Sequence, residues 1–460
     1  MKADPQSIAQ TLSQFSLAVS YKHFPKKVVH EVKRRLIDTL ACSLGGWRSP
    51  PAKIARKIGS RTALKNGATL LGTNFKTTPD LAAFANGTAI RYLDYNDTYL
   101  SLEPAHPSDN ISAALAVAEL AGANGKSLIE SIVVAYEVQC RLCDAAALRP
   151  RGWDHVTYGA FSTALLSAKL LGLSKEKTVH ALGLSGNANN ALRQTRVGHL
   201  SMWKGAAFAN TARNGVFAAE LARLGMTGPA PIFEGEKGFM KIVSGPFDLP
   251  PLRNKGPFKI MNTYIKYYPV EYHAQSAVRA ALNLRYKLPR CDVSKIEGIR
   301  VGTSDISYEI IGNDPDKWHP KSRETADHSL PYIVAVALMD GKVGLSQFNT
   351  RHLNNPNLSA LIQKVRIFSD KQHSKRYGET MGNTVSVKIS GKTYTETVDI
   401  PKGFPGNPLT DAEIEEKFHR LAKPLLSENI RLKILDQLWQ VEKIKSVSTL
   451  LSLFHLKGKA

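Results

Sequence analysis

The stretch "LDYNDTYLSLEPAHPSDN", residues 93–110, gathers Asp94, Asp97, Thr98 and His106 immediately ahead of the apolar run "ISAALAVAELAG". Carboxylate, hydroxyl and imidazole together can move a proton and hold a departing oxygen. The segment before it, from Thr78 as N-cap and Pro79 at the first turn, reads as a helix. Continued to Thr98, that helix would place Asp94 and Thr98 on one face, with His106 just beyond its end. The plainer reading is that Asp97 and Thr98 only tie down a loop through backbone hydrogen bonds.

Four further polar clusters abut helices rich in Ala and Gly. "RGWDHVTYGA" sets His155 among aromatics, where a hydrogen-bonded structural histidine is the ordinary alternative. "LSMWKGAAFANTARNG" embeds Lys204 among small residues that offer its charge no partner. "YIKYYPVEYHAQSAV" carries Lys266, Glu271 and His273 around Pro269. "RETADHSLPYIVAVAL" places Arg323, Asp327 and His328 ahead of an apolar helix. The Walker, dinucleotide-binding, zincin and nucleophile-elbow motifs are all missing. If the chain is an enzyme, it works by side-chain acid–base chemistry without a bound nucleotide.

The elements that must position these residues fall into two kinds. The first 260 residues read as successive helices, among them "PKKVVHEVKRRLIDTLACSLGG" with Pro25 at its first position and a Gly45-Gly46 stop. Ser127 and Glu130 form a candidate capping box. From about residue 261 the character shifts to β-branched segments, including a hairpin across Ser390-Gly391-Lys392. Helices resume behind a second candidate capping box, Thr410 with Glu413. The expected fold is mainly α with an inserted α+β domain: helical over 1–260, an α+β lid over 261–404, and helical again over 405–460. A cleft between such units is a natural substrate site.

With 460 residues and a hydrophobic fraction of 43%, the composition is that of a globular protein. No apolar run is long enough for a membrane helix, and the N-terminus lacks a secretory pattern, so a cytoplasmic protein without membrane association is expected. The four cysteines, Cys42, Cys140, Cys143 and Cys291, form no disulfide framework. The C-x-x-C at 140–143 lies in an apolar helix and reads as core packing rather than a metal site. The net charge of +22 is scattered and not interleaved with aromatics, so no nucleic-acid partner is expected.

Taken together, "LDYNDTYL…HPSDN", "GWDHVTYGA", "MWKGAAFANTARNG", "KYYPVEYHAQ" and "RETADHSLPY" resemble the MmgE/PrpD family, in order and over roughly residues 10–455. The resemblance implies a large helical domain with an inserted α+β lid, a homodimer, no cofactor and no metal. It also implies a small polycarboxylate substrate, with dehydration, decarboxylation and epimerisation as the family's reactions. The family's active-site positions fall on Asp94, Thr98, His106, His155, Lys204 and Lys266. Where the decarboxylase pattern has a histidine, this chain has Glu271, with His273 two residues on. The segment from Thr98 to His106 is also longer than in that pattern. Both features resemble the 2-methylcitrate dehydratase branch. The expected roles are proton transfer by His106, His155 and Asp94, and support of the leaving hydroxyl by Thr98. Lys204, Lys266, Glu271 and His273 are expected to bind substrate, the two lysines as carboxylate clamps.

Overall fold

The structure, a computed structural model, describes residues 6–288 and 292–456; Cys291 and the end of the basic tail "HLKGKA" lie outside the described residues. Its fold is mainly α, with a smaller α+β portion.

The helical part comprises α1 (Ile8–Ala18), α2 (Lys26–Gly46), α3 (Pro50–Gly59), α4 (Pro79–Arg91), α5 (Ile111–Leu120), α6 (Gly125–Ala145), α7 (Gly159–Leu170), α8 (Lys175–Ala188) and α9 (Trp203–Arg223). A short antiparallel ribbon, β1 (Ala68–Thr69) with β2 (Lys76–Thr77), links α3 to α4. Helix α4 is central, packed on α2, α3, α5 and α9. Small residues make that closeness possible. A Cβ built at Gly87 of α4 would lie 3.0 Å from the Ala209 Cβ of α9, so these two backbones meet with no side chain between them. Cys42, Cys140 and Cys143 are free and fully buried within these helices.

The α+β part is built on α10 (Gln275–Lys287) and a four-stranded sheet of order β4-β3-β5-β6. Strands β3 (Ile296–Thr303) and β4 (Val365–Ser369) are parallel; β5 (Asn383–Ile389) pairs antiparallel with both β3 and β6 (Lys392–Val398). The β5–β6 hairpin turns on Ser390 (φ 50°) and Gly391 (φ 74°), the double left-handed geometry of a two-residue loop. Helix α10 and the helix Leu330–Asp340 cover one face of the sheet.

One apolar core draws on α2 through Ile265 and again on Leu409–Leu456, whereas a second uses residues between Tyr268 and Ile389. The chain thus returns to its first core after building the second. The helix Asp411–Ala422 packs on α2, and its Lys417 carries a fully buried ammonium. Lys417 Nζ pairs with Asp38 Oδ1 at 2.6 Å and donates to the carbonyls of Tyr95 (2.7 Å) and Lys266 (3.0 Å).

Three local expectations are corrected. The first turn of α6 is capped by Asn124, whose side chain accepts from Ser127 N at 3.0 Å; Glu130 instead accepts from Tyr21 N at 2.7 Å. Pro25 is the N-cap of α2 rather than its first residue. Helix α4 begins at Pro79 as expected but stops at Arg91, so no helical face carries Asp94 and Thr98 together. The Thr410–Glu413 capping box is present with both reciprocal hydrogen bonds.

Candidate active site

The end of α4 explains how Asp94 is aimed. Asp94 takes a left-handed conformation (φ 49°), tolerated better by Asp than by most residues and costing on the order of 1 kcal/mol. That reversal lets its buried carboxylate meet three cations. Arg91, from the last turn of α4, pairs with Oδ1; Lys266 Nζ donates to Oδ1 at 3.1 Å and to the Asp94 carbonyl at 3.0 Å; Lys204 Nζ lies 3.8 Å from Oδ2. Burial alone would raise the Asp94 pKa, but Arg91, Lys266, Lys204 and His328 outweigh it and hold the carboxyl well below its ordinary range.

Thr98 comes into place by a different device. It forms an isolated antiparallel bridge with Tyr264, in which each backbone N–H donates to the other's carbonyl. This bridge ties the segment after α4 to the irregular stretch leading to Lys266. Asp97 fastens the loop that follows, accepting from Ser108 N at 2.9 Å and from the Tyr136 hydroxyl at 2.8 Å. The plainer reading therefore holds for Asp97.

His106 Nδ1 lies 2.7 Å from the Asp97 carbonyl and 3.1 Å from Thr98 Oγ1. A carbonyl only accepts, so Nδ1 carries the proton and Nε2 presents a lone pair. His155 stands edge-on to His106 with ring centroids 5.6 Å apart, its Nδ1 3.0 Å from Asp154 Oδ1 and its Nε2 without a hydrogen-bond partner. Burial pushes His155 down to about 3 despite the carboxylate of Asp154. Burial, with Arg91 and Lys266 nearby, likewise holds His106 well below the usual histidine range. Both rings are neutral at pH 7.

A cavity of about 470 Å³ opens above these groups. Thr98, His106, His155, Glu271 and His273 line it, together with Arg91, Arg149, Arg193, Arg196, Lys317 and His328. Asp94, Lys204 and Lys266 do not line it; they form a buried layer of ion pairs behind it. Lys204 Nζ binds Asp327 Oδ1 at 2.7 Å and stands 3.1 Å from His328 Nδ1. The sequence expected Lys204 to lack a partner, but Lys204 and Lys266 each have a carboxylate partner brought from a distant segment.

Glu271 and His273 form a closed pair. Glu271 accepts from His273 N at 2.7 Å and lies 2.8 Å from its Nδ1, while His273 Nε2 meets the Tyr377 hydroxyl at 2.9 Å. Burial disfavours the Glu271 anion, yet His273 with His328 and Lys266 draws its pKa down to about 2.

Asp94, Asp327 and His328 could offer ligand atoms to a cation. The Lys204 ammonium already stands among them, so a metal ion there would have to displace it.

Sequence reasoning missed the cationic wall. Arg149, Arg193 and Arg196 come from loops either side of His155, and Lys317 from a turn of the α+β part. The accumulation of arginine in "LRPRG" and "LRQTRVG" was a signal, masked by the high Lys and Arg content of the whole chain.

The chain as a whole is similar to known sequences. The profile of the MmgE/PrpD N-terminal domain matches residues 10–252, and that of the C-terminal domain residues 268–441. The chain belongs to the MmgE/PrpD family. Among curated relatives it is 28% identical to a probable 2-methylcitrate dehydratase of Saccharomyces cerevisiae, covering 79% of this chain and 75% of that one. It is 28% identical to the 2-methylcitrate dehydratase of Cupriavidus necator over 87% of this chain and 88% of that one. A cis-aconitate decarboxylase-like protein of Aspergillus oryzae is also 28% identical, over 93% of both chains.

Proposed function

We propose that the protein is a carbon–oxygen lyase that removes water from 2-methylcitrate or a similar hydroxy-tricarboxylate. The observation that carries this reading is the pair of neutral imidazoles, His106 and His155, set in a cavity walled by four arginines. In the reaction a C–H bond next to a carboxylate breaks and its proton passes to an imidazole Nε2. The electron pair forms the C=C bond, the neighbouring C–OH bond breaks, and the hydroxyl leaves as water with a proton returned from the site. Both rings start as proton acceptors, so the proton taken from carbon is the one available to the departing hydroxyl. A bound trianion raises the basicity of both rings, bringing them toward the range where general-base catalysis works. The arginines hold carboxylates whose charge grows as the proton leaves. Thr98 Oγ1, beside His106 Nδ1, can support the hydroxyl. Asp94, Lys204 and Lys266 act from behind as a charge-balanced support.

Decarboxylation of cis-aconitate is the second reading, favoured by the Aspergillus relative. Incubation with each substrate separates the two. Rising ultraviolet absorbance from 2-methylcitrate without carbon dioxide supports the dehydratase. Carbon dioxide from cis-aconitate with no product from 2-methylcitrate overturns it.

The reading includes a helical body, 1–260 with 405–460, an α+β lid over 261–404, and a cytoplasmic setting; among the described residues no helix is long and apolar enough to cross a membrane. It also includes a homodimer. Helix α9 exposes Trp203 (48%) and Phe217 (55%), and its C-cap Leu224 (80%) follows one heptad on, apolar groups that a second copy would cover. Sedimentation of Phe217→Glu should show a monomer where the parent protein shows a dimer.

A further inference from the structure

The cavity has two unlike walls. The helical side supplies Arg91, Arg149, Arg193 and Arg196; the α+β side supplies the acids Glu271, Glu309 and Asp314 against Lys317 and two histidines. Lys317 is 3% exposed and lines the cavity, yet no hydrogen bond or ion pair reaches its ammonium from any described residue. Its neighbours differ in this respect. Lys204 and Lys266 are equally buried, but each spends its charge on Asp94 or Asp327. Burying an unpaired ammonium is costly and persists where a ligand completes the pair. Burial pushes Lys317 below its ordinary pKa, with Asp314 partly offsetting that, so an anion close to Nζ would be strongly favoured.

We propose that Lys317 binds one carboxylate of the substrate from the lid side and thereby sets how many carboxylates the site demands. This rests on the reading of the ligand as a polycarboxylate. Arg149 and Arg193 opposite, engaged by no ion pair among the described residues, hold the remaining carboxylates, so a ligand that satisfies both walls needs one carboxylate for Lys317 beyond those the arginines hold. A dicarboxylate held by the arginines alone leaves Lys317 unpaired.

The test is titration calorimetry of the full chain with tricarballylate, which has no hydroxyl to lose, and with glutarate, the same carbon chain without the central carboxylate. The parent protein should bind tricarballylate more tightly by about tenfold, as one charged contact implies. Lys317→Met should weaken tricarballylate by about tenfold and leave glutarate within about threefold, and Lys317→Arg should recover most of the loss. Melting without ligand should be unchanged or higher for Lys317→Met, since an unpaired buried charge is removed. If Lys317→Met does not fold, the same comparison in Lys317→Gln decides. Equal binding of both ligands by the parent protein and the variant overturns the proposal, as does failure of the parent protein to bind either. A protein that follows the expected pattern but yields no product from 2-methylcitrate overturns the dehydratase reading and leaves the role of Lys317 standing.

Discussion

At the scale of single residues, the site separates groups that touch the cavity from groups that balance charge behind it, and substitutions should report that difference. Replacing His155 with Gln removes an unpartnered ring nitrogen from the wall and leaves the ion-pair layer intact. Its kcat should fall by about 10²–10⁴-fold while the circular dichroism spectrum and melting temperature stay near the parent values. An unchanged kcat would take His155 out of the reaction. Asp94→Asn should behave in the opposite way. It leaves Arg91, Lys204 and Lys266 without their shared counter-ion, so stability should drop by about 3–5 kcal/mol in urea unfolding. The chemical identity of both residues was legible in the sequence, because Asp and His beside Ala-rich helices are costly unless used. Their depth was not. Whether Lys204 faces a ligand or a carboxylate depends on Asp327, more than a hundred positions away, and local spacing cannot reveal such a partner.

At the scale of elements, helix boundaries decide which side chains can converge. Periodicity located α4 and its Pro79 start, but it could not show that Asp94 would leave the helix by a left-handed turn, since Tyr92 and Leu93 continue the apolar pattern. The capping box at Thr410 was legible because its two hydrogen bonds are local. The one at Ser127 failed because Asn124 is an equally good cap three residues earlier. The alternation from helical to β-branched segments gave the two-part architecture. It gave no hint that Lys417 would clamp the carbonyls of Tyr95 and Lys266 from the far end of the chain. The close approach of α4 and α9 is testable. Gly87→Val should push α4 from α9 and lower stability by about 1–3 kcal/mol, with activity falling as well because Arg91 and Lys204 lie at the facing ends of these helices. A variant as stable and as active as the parent would show that the helices can part without disturbing the site.

At the scale of the whole molecule, the buried histidines make stability a function of pH. His155 and His328 are held at about 3 and about 4, chiefly by burial, and His106 is also held low. Each of these groups binds a proton more readily in the unfolded chain, whose histidines titrate near 6.5. Between pH 6.5 and the folded values the unfolded state therefore holds more protons, and stability falls as the solution is acidified. Above 6.5 the three contributions are fully present. Asp109 works in the other sense: burial raises it to about 7, so its folded form takes up a proton first and favours the native state as pH falls toward the unfolded carboxylate value. Burial raises Asp38, Glu103 and Glu137 as well, so these carboxylates act in the same sense as Asp109 and oppose the histidines. Glu271 and Asp154, both held at about 2, add nothing until the pH drops below roughly 4.5, where unfolded carboxylates begin to protonate. The His155 share is isolated by substitution: between pH 6.5 and 4.5 the melting temperature of the parent protein should fall on acidification relative to that of His155→Gln. Calorimetric scans across that range check it, and a slope unaffected by the substitution would mean that His155 is protonated as readily in the folded protein as in the unfolded chain.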